Sequence, residues 1–240
     1  RDVHGADAVI IYDNGSTKYD ATDLLDALNS LQGLTVSHVV HWPFKHGPGS
    51  RDSAGNVDSR YGQAGALEHA RWRFLCSARS VMVGDVDELV LPNINQSVFC
   101  EAERSKKGFL KYSGMWIIDR RLEEAEHSQR EPARHKDFCY RMAPDPTVPA
   151  EEADARIRSN SKWTVVPNRC PRKAQWHIHN IRNWRRATKS STPHFSHRHF
   201  VPINTNWNPE RLALLNEKFS GAPIRDRLLE EFFARVRWNE

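Results

Sequence analysis

Residues 7–16, with the sequence DAVIIYDNGS, decide the predicted fold. They form a short apolar run that stops at an Asn-Gly turn, which indicates a buried strand. From about Asp20, leucines recur at helical spacing until Gly33, and residues 34–41 form a second apolar run. A strand, a helix and a strand of these lengths make a βαβ unit, whose strands are parallel and covered by helices. We therefore predict one α/β domain over residues 1–240, with a mostly parallel central sheet flanked by helices.

A second stretch, VMVGDVDEL at residues 81–89, combines an apolar strand with acidic residues. Ligands of open α/β sheets bind at the carboxyl ends of the strands, where Asp85 and Asp87 are expected. Residues i and i+2 of a strand point the same way, so these carboxylates can converge on one cation, either Mn2+ or Mg2+. Such an ion can neutralise a departing diphosphate. Glu88 either binds the ion through water or caps the turn, and the alternative for the whole motif is a solvated acidic loop.

Asp13 and Asn14 follow the first predicted strand directly. A carboxylate beside an amide can hydrogen-bond a nucleobase or a ribose. The same residues begin an Asn-Gly turn, which is a sufficient structural reason for them. Both interpretations are compatible with one another.

Four short blocks stand out together. They are Tyr12-Asp13-Asn14-Gly15-Ser16, Trp42-Pro43-Phe44, a predicted helix that begins at Gln63 and contains His69 and Arg71, and Gly84-Asp85-Val86-Asp87-Glu88. In this order they resemble the GT-A glycosyltransferases of the family 2 and family 92 type. The similarity covers residues 5–92 and continues more loosely through Lys162-Trp163-Thr164-Val165-Val166-Pro167 and the later histidines.

This resemblance implies a GT-A, Rossmann-like fold and a nucleotide-sugar donor, UDP-linked by preference. The donor and metal part would be residues 1–92 and the acceptor part residues 93–240, with the first strand of the fold upstream of Arg1. The resemblance implies that donor contacts come from Asp13, Asn14, Gln63 and Asp85. It also implies that Asp85 and Asp87 hold the metal.

Histidines crowd the C-terminal half, including the His-x-His pairs at 177/179 and 197/199. The resemblance implies a third metal ligand, because metal-dependent GT-A glycosyltransferases often take a histidine from the C-terminal half of the fold. We expect His179 in that role first and His199 second. A zinc site is one alternative, because imidazole suits zinc. Ordinary histidines with local hydrogen bonds are the other.

Transfer of a sugar requires a general base near the acceptor hydroxyl. Asp119, at the end of the long apolar stretch 108–118, is the predicted base. Glu124, Glu126 and Asp137 compete with it. Residues 119–161 are highly charged, which predicts irregular structure there.

The leading functional prediction is therefore metal-dependent transfer of a hexosyl unit from a nucleotide sugar to a glycan or glycolipid acceptor. Positions 169–198 carry eight Lys and Arg residues, and such a stretch attracts phosphate. One alternative function is thus a basic module that binds nucleic acid or anionic glycan, although the chain has no nucleic-acid motif and we expect no nucleic-acid partner. The other alternative is a metal-dependent hydrolase.

The composition is that of a globular protein, with 39% hydrophobic and 27% charged residues in 240. The sequence has no apolar run of membrane-spanning length and no signal peptide. Its four cysteines form no Cys-x-x-Cys pair, which fits a reducing compartment. We expect a cytoplasmic protein that can associate peripherally with a membrane. A segment upstream of Arg1 that carried an anchor would instead place it in a secretory organelle.

Overall fold

A computed structural model describes residues 3–44, 61–118, 134–188, 191–203 and 223–236. The chain divides into two compact units, each built from three segments. Unit 1 comprises Arg1–Val83, Gln96–Lys111 and Trp163–Ser190, and unit 2 comprises Gly84–Asn95, Tyr112–Lys162 and Ser191–Glu240.

Strands and short helices alternate irregularly along the described chain. The strands are β1 (Ala8–Asp13), β2 (Val36–His41), β3 (Val81–Val83), β4 (Glu88–Pro92), β5 (Phe109–Ile117), β6 (Tyr140–Met142), β7 (Arg158–Val165), β8 (Gln175–His177), β9 (Asn180–Arg182), β10 (Phe195–Phe200) and β11 (Pro223–Arg225). The α-helices are α1 (Ala21–Asn29), α2 (Tyr61–Arg73), α3 (Val98–Arg104), α4 (Ala150–Ile157), α5 (Arg185–Thr188) and α6 (Arg227–Arg235). None of these helices is long and apolar enough to cross a membrane.

Unit 1 begins with the predicted strand, helix and strand. β1 and β2 are parallel, in a register that runs from Ala8 opposite Val36 to Asp13 opposite His41. The α1 helix starts at an Asp20 capping box, in which the Asp20 side chain accepts two backbone N–H groups of the first turn. The predicted βαβ unit is therefore present, although among the described strands β1 and β2 pair only with each other.

The core of unit 1 is built on aromatic side chains. Trp163 and Trp176 are fully buried, with ring centroids 5.3 Å apart, and Phe109 packs against Trp163. The β8–β9 hairpin lies against α2, and the buried guanidinium of Arg71 donates to the backbone carbonyls of Pro171 and Ala174. These contacts fix α2 to the hairpin.

Unit 2 has a separate core, under the helix α6. Leu91, Ile117, Phe200 and Leu229 are its most deeply buried members, and Phe233 packs beside them. Asp226 caps α6 through the backbone N–H of Leu229 and also accepts two hydrogen bonds from the buried Arg198 guanidinium. One carboxylate thus starts the helix and anchors the neighbouring strand β10.

The prediction of a mostly parallel central sheet is wrong. The largest sheet has seven strands, in the order β11-β6-β5-β10-β4, with β7 pairing β5 and β3. Among its pairs with a described register, β10–β5 is parallel and the other four are antiparallel. β3 and β4 follow one another in the chain but pair with distant strands instead, β3 with β7 and β4 with β10, both antiparallel. The prediction extended one βαβ unit to the whole chain, whereas the direction of the later strands is set by these distant pairings.

Candidate functional site

The segment between β3 and β4 forms a tight acidic turn. The backbone N–H of Glu88 donates to the Asp85 carbonyl at 3.1 Å, and the Asp85 N–H donates to the Glu88 carboxylate, also at 3.1 Å. These reciprocal bonds turn the Glu88 side chain inward, so it is almost fully buried. Asp87 is buried as well, while Asp85 is partly exposed.

Lys162, in β7, lies fully buried beside this turn. Its Nζ atom is 2.6 Å from Asp85 Oδ2 and 3.0 Å from Glu88 Oε2. Burial alone would lower the pKa of Lys162, but the charges of Asp85 and Glu88 raise that pKa above its ordinary value. Lys162 is therefore a fixed positive charge that joins the two carboxylates.

Two histidines of β10 reach the same carboxylates. In the antiparallel pairing of β10 with β4, His199 lies opposite Glu88, and His197 points to the same face because it is two residues away. His199 Nε2 is 3.2 Å from Asp87 Oδ2, and His199 Nδ1 is 3.3 Å from Glu88 Oε1. His197 Nε2 is 3.6 Å from Glu88 Oε1. We refer to Asp85, Asp87, Glu88, Lys162, His197 and His199 as the unit 2 cluster.

Burial and neighbouring charges shift the pKa values of the two buried acids of this cluster in opposite directions. Burial would raise the pKa of Asp87, but the hydrogen bond and charge of His199, helped by Lys162, hold that pKa below its ordinary value. Burial raises the pKa of Glu88, against the opposing charges of Lys162 and His199. The carboxylate of Asp87 is therefore the more firmly ionised of the two.

Small and aromatic neighbours on strand β5 support the two histidines. Gly114 pairs with His197, and a Cβ atom at this position would overlap the Ser159 hydroxyl and the His197 ring. Ser159 Oγ lies 3.0 Å from His197 Nε2. The Trp116 ring centroid is 4.5 Å from that of His199, and the Trp116 N–H donates to the Arg158 carbonyl at 2.9 Å. The histidine rings therefore have little freedom to turn.

The charges of the cluster fit one divalent cation. Three carboxylates and one ammonium leave two negative charges uncompensated when the imidazoles are neutral. Carboxylate and imidazole together are donors that suit Mn2+ and other first-row transition metals, whereas Mg2+ prefers oxygen alone. Ligand atoms of Glu88, His197 and His199 also lie within 4.8 Å of one another. Asp87 and His199 thus lie together in this cluster, and their role as metal ligands stays a prediction.

Three of the predicted donor residues, Asp13, Asn14 and Gln63, lie in unit 1, whereas Asp85 belongs to the unit 2 cluster. The Asp13 carboxylate accepts from the Ser16 N–H at 3.1 Å and from the Ser16 hydroxyl, and these bonds lower the Asp13 pKa. Asn14 donates from its amide to the carbonyls of Trp42 and Phe44, both at 2.6 Å. Gln63 lies partly buried in α2. The polar groups at the end of β1 therefore shape the loop that could receive a nucleotide.

The other predicted site residues, a metal ligand and the candidate catalytic bases, lie outside the unit 2 cluster or outside the described residues. His179 is partly buried in the turn between β8 and β9, in unit 1, while the unit 2 cluster holds His199. Asp119, the predicted base, lies outside the described residues, as do its competitors Glu124 and Glu126. Asp137 is described, in a short 3-10 helix where it accepts from the Arg134 N–H.

The basic stretch 169–198 divides into structural and exposed residues. Arg169 donates to the carbonyls of Glu103 and Ser105, and Arg198 is buried against Asp226. Four further residues are exposed, namely Arg172, Lys173, Arg182 and Arg185. Among the described residues of this stretch, these exposed side chains are the ones that can meet a phosphate group from solvent.

Sequence reasoning gave no role to Lys162 or His197. Lys162 was noted only as the first residue of the stretch 162–167, which is part of the family resemblance. His197 was noted only as one member of a His-x-His pair. A lysine at the head of the apolar run 163–166 is the one signal that pointed to a buried cation. Such a lysine is almost never buried without an acidic partner.

Residues 2–235 match the model of a glycosyltransferase family, which makes this chain a glycosyltransferase. The family is glycosyltransferase family 92, and the chain belongs to it, in agreement with the resemblance noted in the sequence. Membership implies in general a nucleotide-sugar donor and a glycan acceptor. A search of curated proteins and a search of solved structures each return no match.

Proposed function

We propose that this glycosyltransferase transfers a hexosyl unit from a UDP-sugar to a glycan or glycolipid acceptor and that the transfer depends on a divalent metal, Mn2+ in preference to Mg2+. The observation that supports the proposal most directly is the pair formed by Asp87 and His199, 3.2 Å apart, in a cluster whose three carboxylates outnumber its one ammonium group. A diphosphate cannot approach such a cluster unless a cation intervenes, because like charges repel.

Asp87 and His199 are the residues we expect to hold the metal. Asp85 shares one oxygen with Lys162 and has a second oxygen, since a carboxylate offers several acceptor positions. When bound, the metal supplies a positive charge that stabilises the diphosphate as it leaves. Asp13 Oδ2, which neither Ser16 bond uses, is suited to a ribose hydroxyl or a uracil N–H. Asp119 stays the predicted base for the acceptor hydroxyl.

The first test is calorimetric titration of UDP into the protein with and without Mn2+. We expect measurable UDP affinity only with Mn2+, and its loss in Asp87→Asn, because the metal joins the protein to the diphosphate. Glu231→Gln is the matched control: Glu231 is an exposed carboxylate of the same unit, 3.7 Å from Arg235. UDP affinity that is indifferent to Mn2+ and to Asp87→Asn would contradict the proposal.

A turnover assay separates transfer from hydrolysis. UDP-sugars and a panel of glycan acceptors are incubated with Mn2+, and free sugar and glycosylated acceptor are quantified. We expect acceptor-dependent product. Release of free sugar at the same rate with and without every acceptor would favour a metal-dependent hydrolase.

A further inference from the structure

We infer that Glu88 and Lys162 are positioning residues for His199. In this arrangement Glu88 holds the Nδ1 edge of the imidazole, so that Nε2 is presented to a metal beside Asp87, and Lys162 holds Glu88. The inference rests on the metal dependence proposed above and explains how the chain orients the His199 ring for the metal.

The two nitrogens of His199 face different carboxylates. Nε2 lies 3.2 Å from Asp87 Oδ2, and Nδ1 lies 3.3 Å from Glu88 Oε1. The nitrogens lie on different edges of the ring, so an ion bound at one edge leaves the other nitrogen to its carboxylate. His199 can therefore share an ion with Asp87 or with Glu88, and the remaining acid becomes its hydrogen-bond acceptor.

Exposure decides which edge faces the metal. The Glu88 side chain is 2% exposed and that of Lys162 is 0% exposed, whereas Asp87 and His199 are 12% and 10% exposed and Asp85 is 34% exposed. A diphosphate has to reach the ion from solvent. The metal therefore belongs on the edge of His199 that carries Nε2 and Asp87, and Glu88 belongs behind the ring.

A carboxylate behind a metal-bound histidine has a known effect on the ligand. It accepts the N–H of the nitrogen that does not bind the metal, which fixes the tautomer, orients the ring and makes the imidazole a stronger donor. Glu88 Oε1 is placed to do this at Nδ1. The other oxygen of Glu88, Oε2, is held 3.0 Å from Lys162 Nζ, which also holds Asp85 at 2.6 Å. Lys162 thus fixes both the acid behind the ring and the first acid of the motif.

The rival arrangement places the ion at the buried edge. Glu88, His197 and His199 offer ligand atoms within 4.8 Å of one another there, and Asp87 would then be the acid behind the ring. Ser159 already lies 3.0 Å from His197 Nε2 at that edge. The two arrangements differ in what they require of His197, which is a ligand only in the rival one.

The experiment measures Mn2+ affinity by calorimetry and by Mn2+ electron paramagnetic resonance, on the full 240-residue chain without donor. The variants are Asp87→Asn, Glu88→Gln, His197→Gln and Lys162→Arg. We expect no measurable binding for Asp87→Asn and a loss of about 10- to 100-fold for Glu88→Gln, the effect typical of an acid behind a ligand. We expect a smaller loss for His197→Gln than for Asp87→Asn, because His197 is a ligand only in the rival arrangement, and a smaller loss for Lys162→Arg, which retains the charge, than for Glu88→Gln.

Lys162→Met alone leaves two carboxylates without their cation and is expected to fold poorly. The double variant Glu88→Gln/Lys162→Met removes the cation together with its buried acid. We expect it to lose the same affinity as Glu88→Gln and no more, because residues that act as one unit are not additive. A loss clearly larger than that of Glu88→Gln would contradict a shared positioning role.

A buried acid elsewhere in unit 2 controls for general damage. Asp226 is as deeply buried as Glu88 and pairs with Arg198, so Asp226→Asn is expected to lower the melting temperature without changing the Mn2+ affinity of the folded protein. If Glu88→Gln behaves in the same way, its role is structural and the inference is wrong.

The outcomes separate this inference from the proposed function. Absence of Mn2+ binding by the wild-type protein would overturn metal dependence itself. Binding that Asp87→Asn abolishes but Glu88→Gln leaves unchanged would overturn only the positioning role. Equal losses in His197→Gln and Asp87→Asn would place the ion at the buried edge and also overturn it.

Discussion

The end of β1 in unit 1 and the Asp85–Glu88 segment that begins unit 2 both present acidic side chains directly after a strand, but their partners differ. At the end of β1, Asp13 is bonded to Ser16, only three residues away. In the unit 2 cluster, Asp85 is bonded to Lys162 and Asp87 to His199, which are 77 and 112 residues further along the chain.

This difference separates a local turn from a site that exists only when its unit is folded. The bonds of Asp13 can form in the loop itself, and they need little besides the Asn-Gly turn, in which Gly15 has a φ of +87°. The cluster forms only when Lys162 of β7 and the histidines of β10 lie beside the Asp85–Glu88 segment. We therefore expect damage to the strands of unit 2 to destabilise the assembled site as a whole, and damage to the β1 loop to stay local.

The largest effect is expected when the ion pair beside the cluster is broken. Asp226→Asn leaves the buried Arg198 guanidinium without its acid, 2.6 Å away in the native protein, on the strand that carries both histidines. Breaking a buried pair in this way typically costs about 3–5 kcal/mol. Urea unfolding should show this loss, and amide hydrogen exchange should rise first in peptides from β10 and α6.

Asp20→Ala in unit 1 is the corresponding local change. It removes the N-cap of α1, which is worth about 1 kcal/mol, and exchange should rise in α1 peptides alone. If Asp20→Ala and Asp226→Asn lowered the free energy of unfolding equally, bonds to distant partners would contribute no more to stability than local ones.

A smaller effect is expected from adding one methyl group at Gly114. In Gly114→Ala the new Cβ would overlap the Ser159 hydroxyl and the His197 ring, so β5, β7 or β10 has to shift. Overpacking of this kind costs about 1–3 kcal/mol. We expect a lower melting temperature and, because His197 and His199 share a strand, weaker Mn2+ binding.

Gly65→Ala supplies the control in unit 1. Gly65 lies exposed in α2, and an added Cβ would meet only the Trp42 ring at an ordinary contact distance of 3.4 Å. Alanine is favoured over glycine in a helix by up to about 1 kcal/mol, so this variant should be neutral or slightly more stable. A loss of stability like that of Gly114→Ala would show that the effect is not one of crowding in the cluster.

The same division explains what could be predicted from the sequence. The β1–α1–β2 unit was predictable because its apolar runs, its capping residue and its turn are all local signals. The direction of the later strands was not, because it depends on which distant strands pair. The acidic motif and His199 could be named from their types and spacing, but the burial of Lys162 between Asp85 and Glu88 depends on tertiary structure. Residues 119–161 were predicted to be irregular, and the described part of that range contains β6, α4 and the start of β7.

The smallest effect concerns the acid titration of Asp13, which tests whether the bonds at the end of β1 act only locally. The hydrogen bonds from Ser16 hold the Asp13 pKa below its ordinary value. Their contribution is therefore complete above the unfolded pKa of about 3.9 and fades as the pH falls through the lower folded value. The Ser16 amide resonance in 1H-15N spectra should report this midpoint. In Ser16→Ala, the titration midpoint of Asp13, followed by its carboxyl resonance, should rise toward the ordinary value.

This titration should leave the rest of the protein unchanged, because Asp13 is partly exposed and its partner is three residues away. Amide resonances of β4 and β10 should not follow the Asp13 midpoint. If they did follow it, the loop at the end of β1 would be coupled to distant strands. Its acid would then belong, like Asp87, to a site that the folded chain assembles from remote parts.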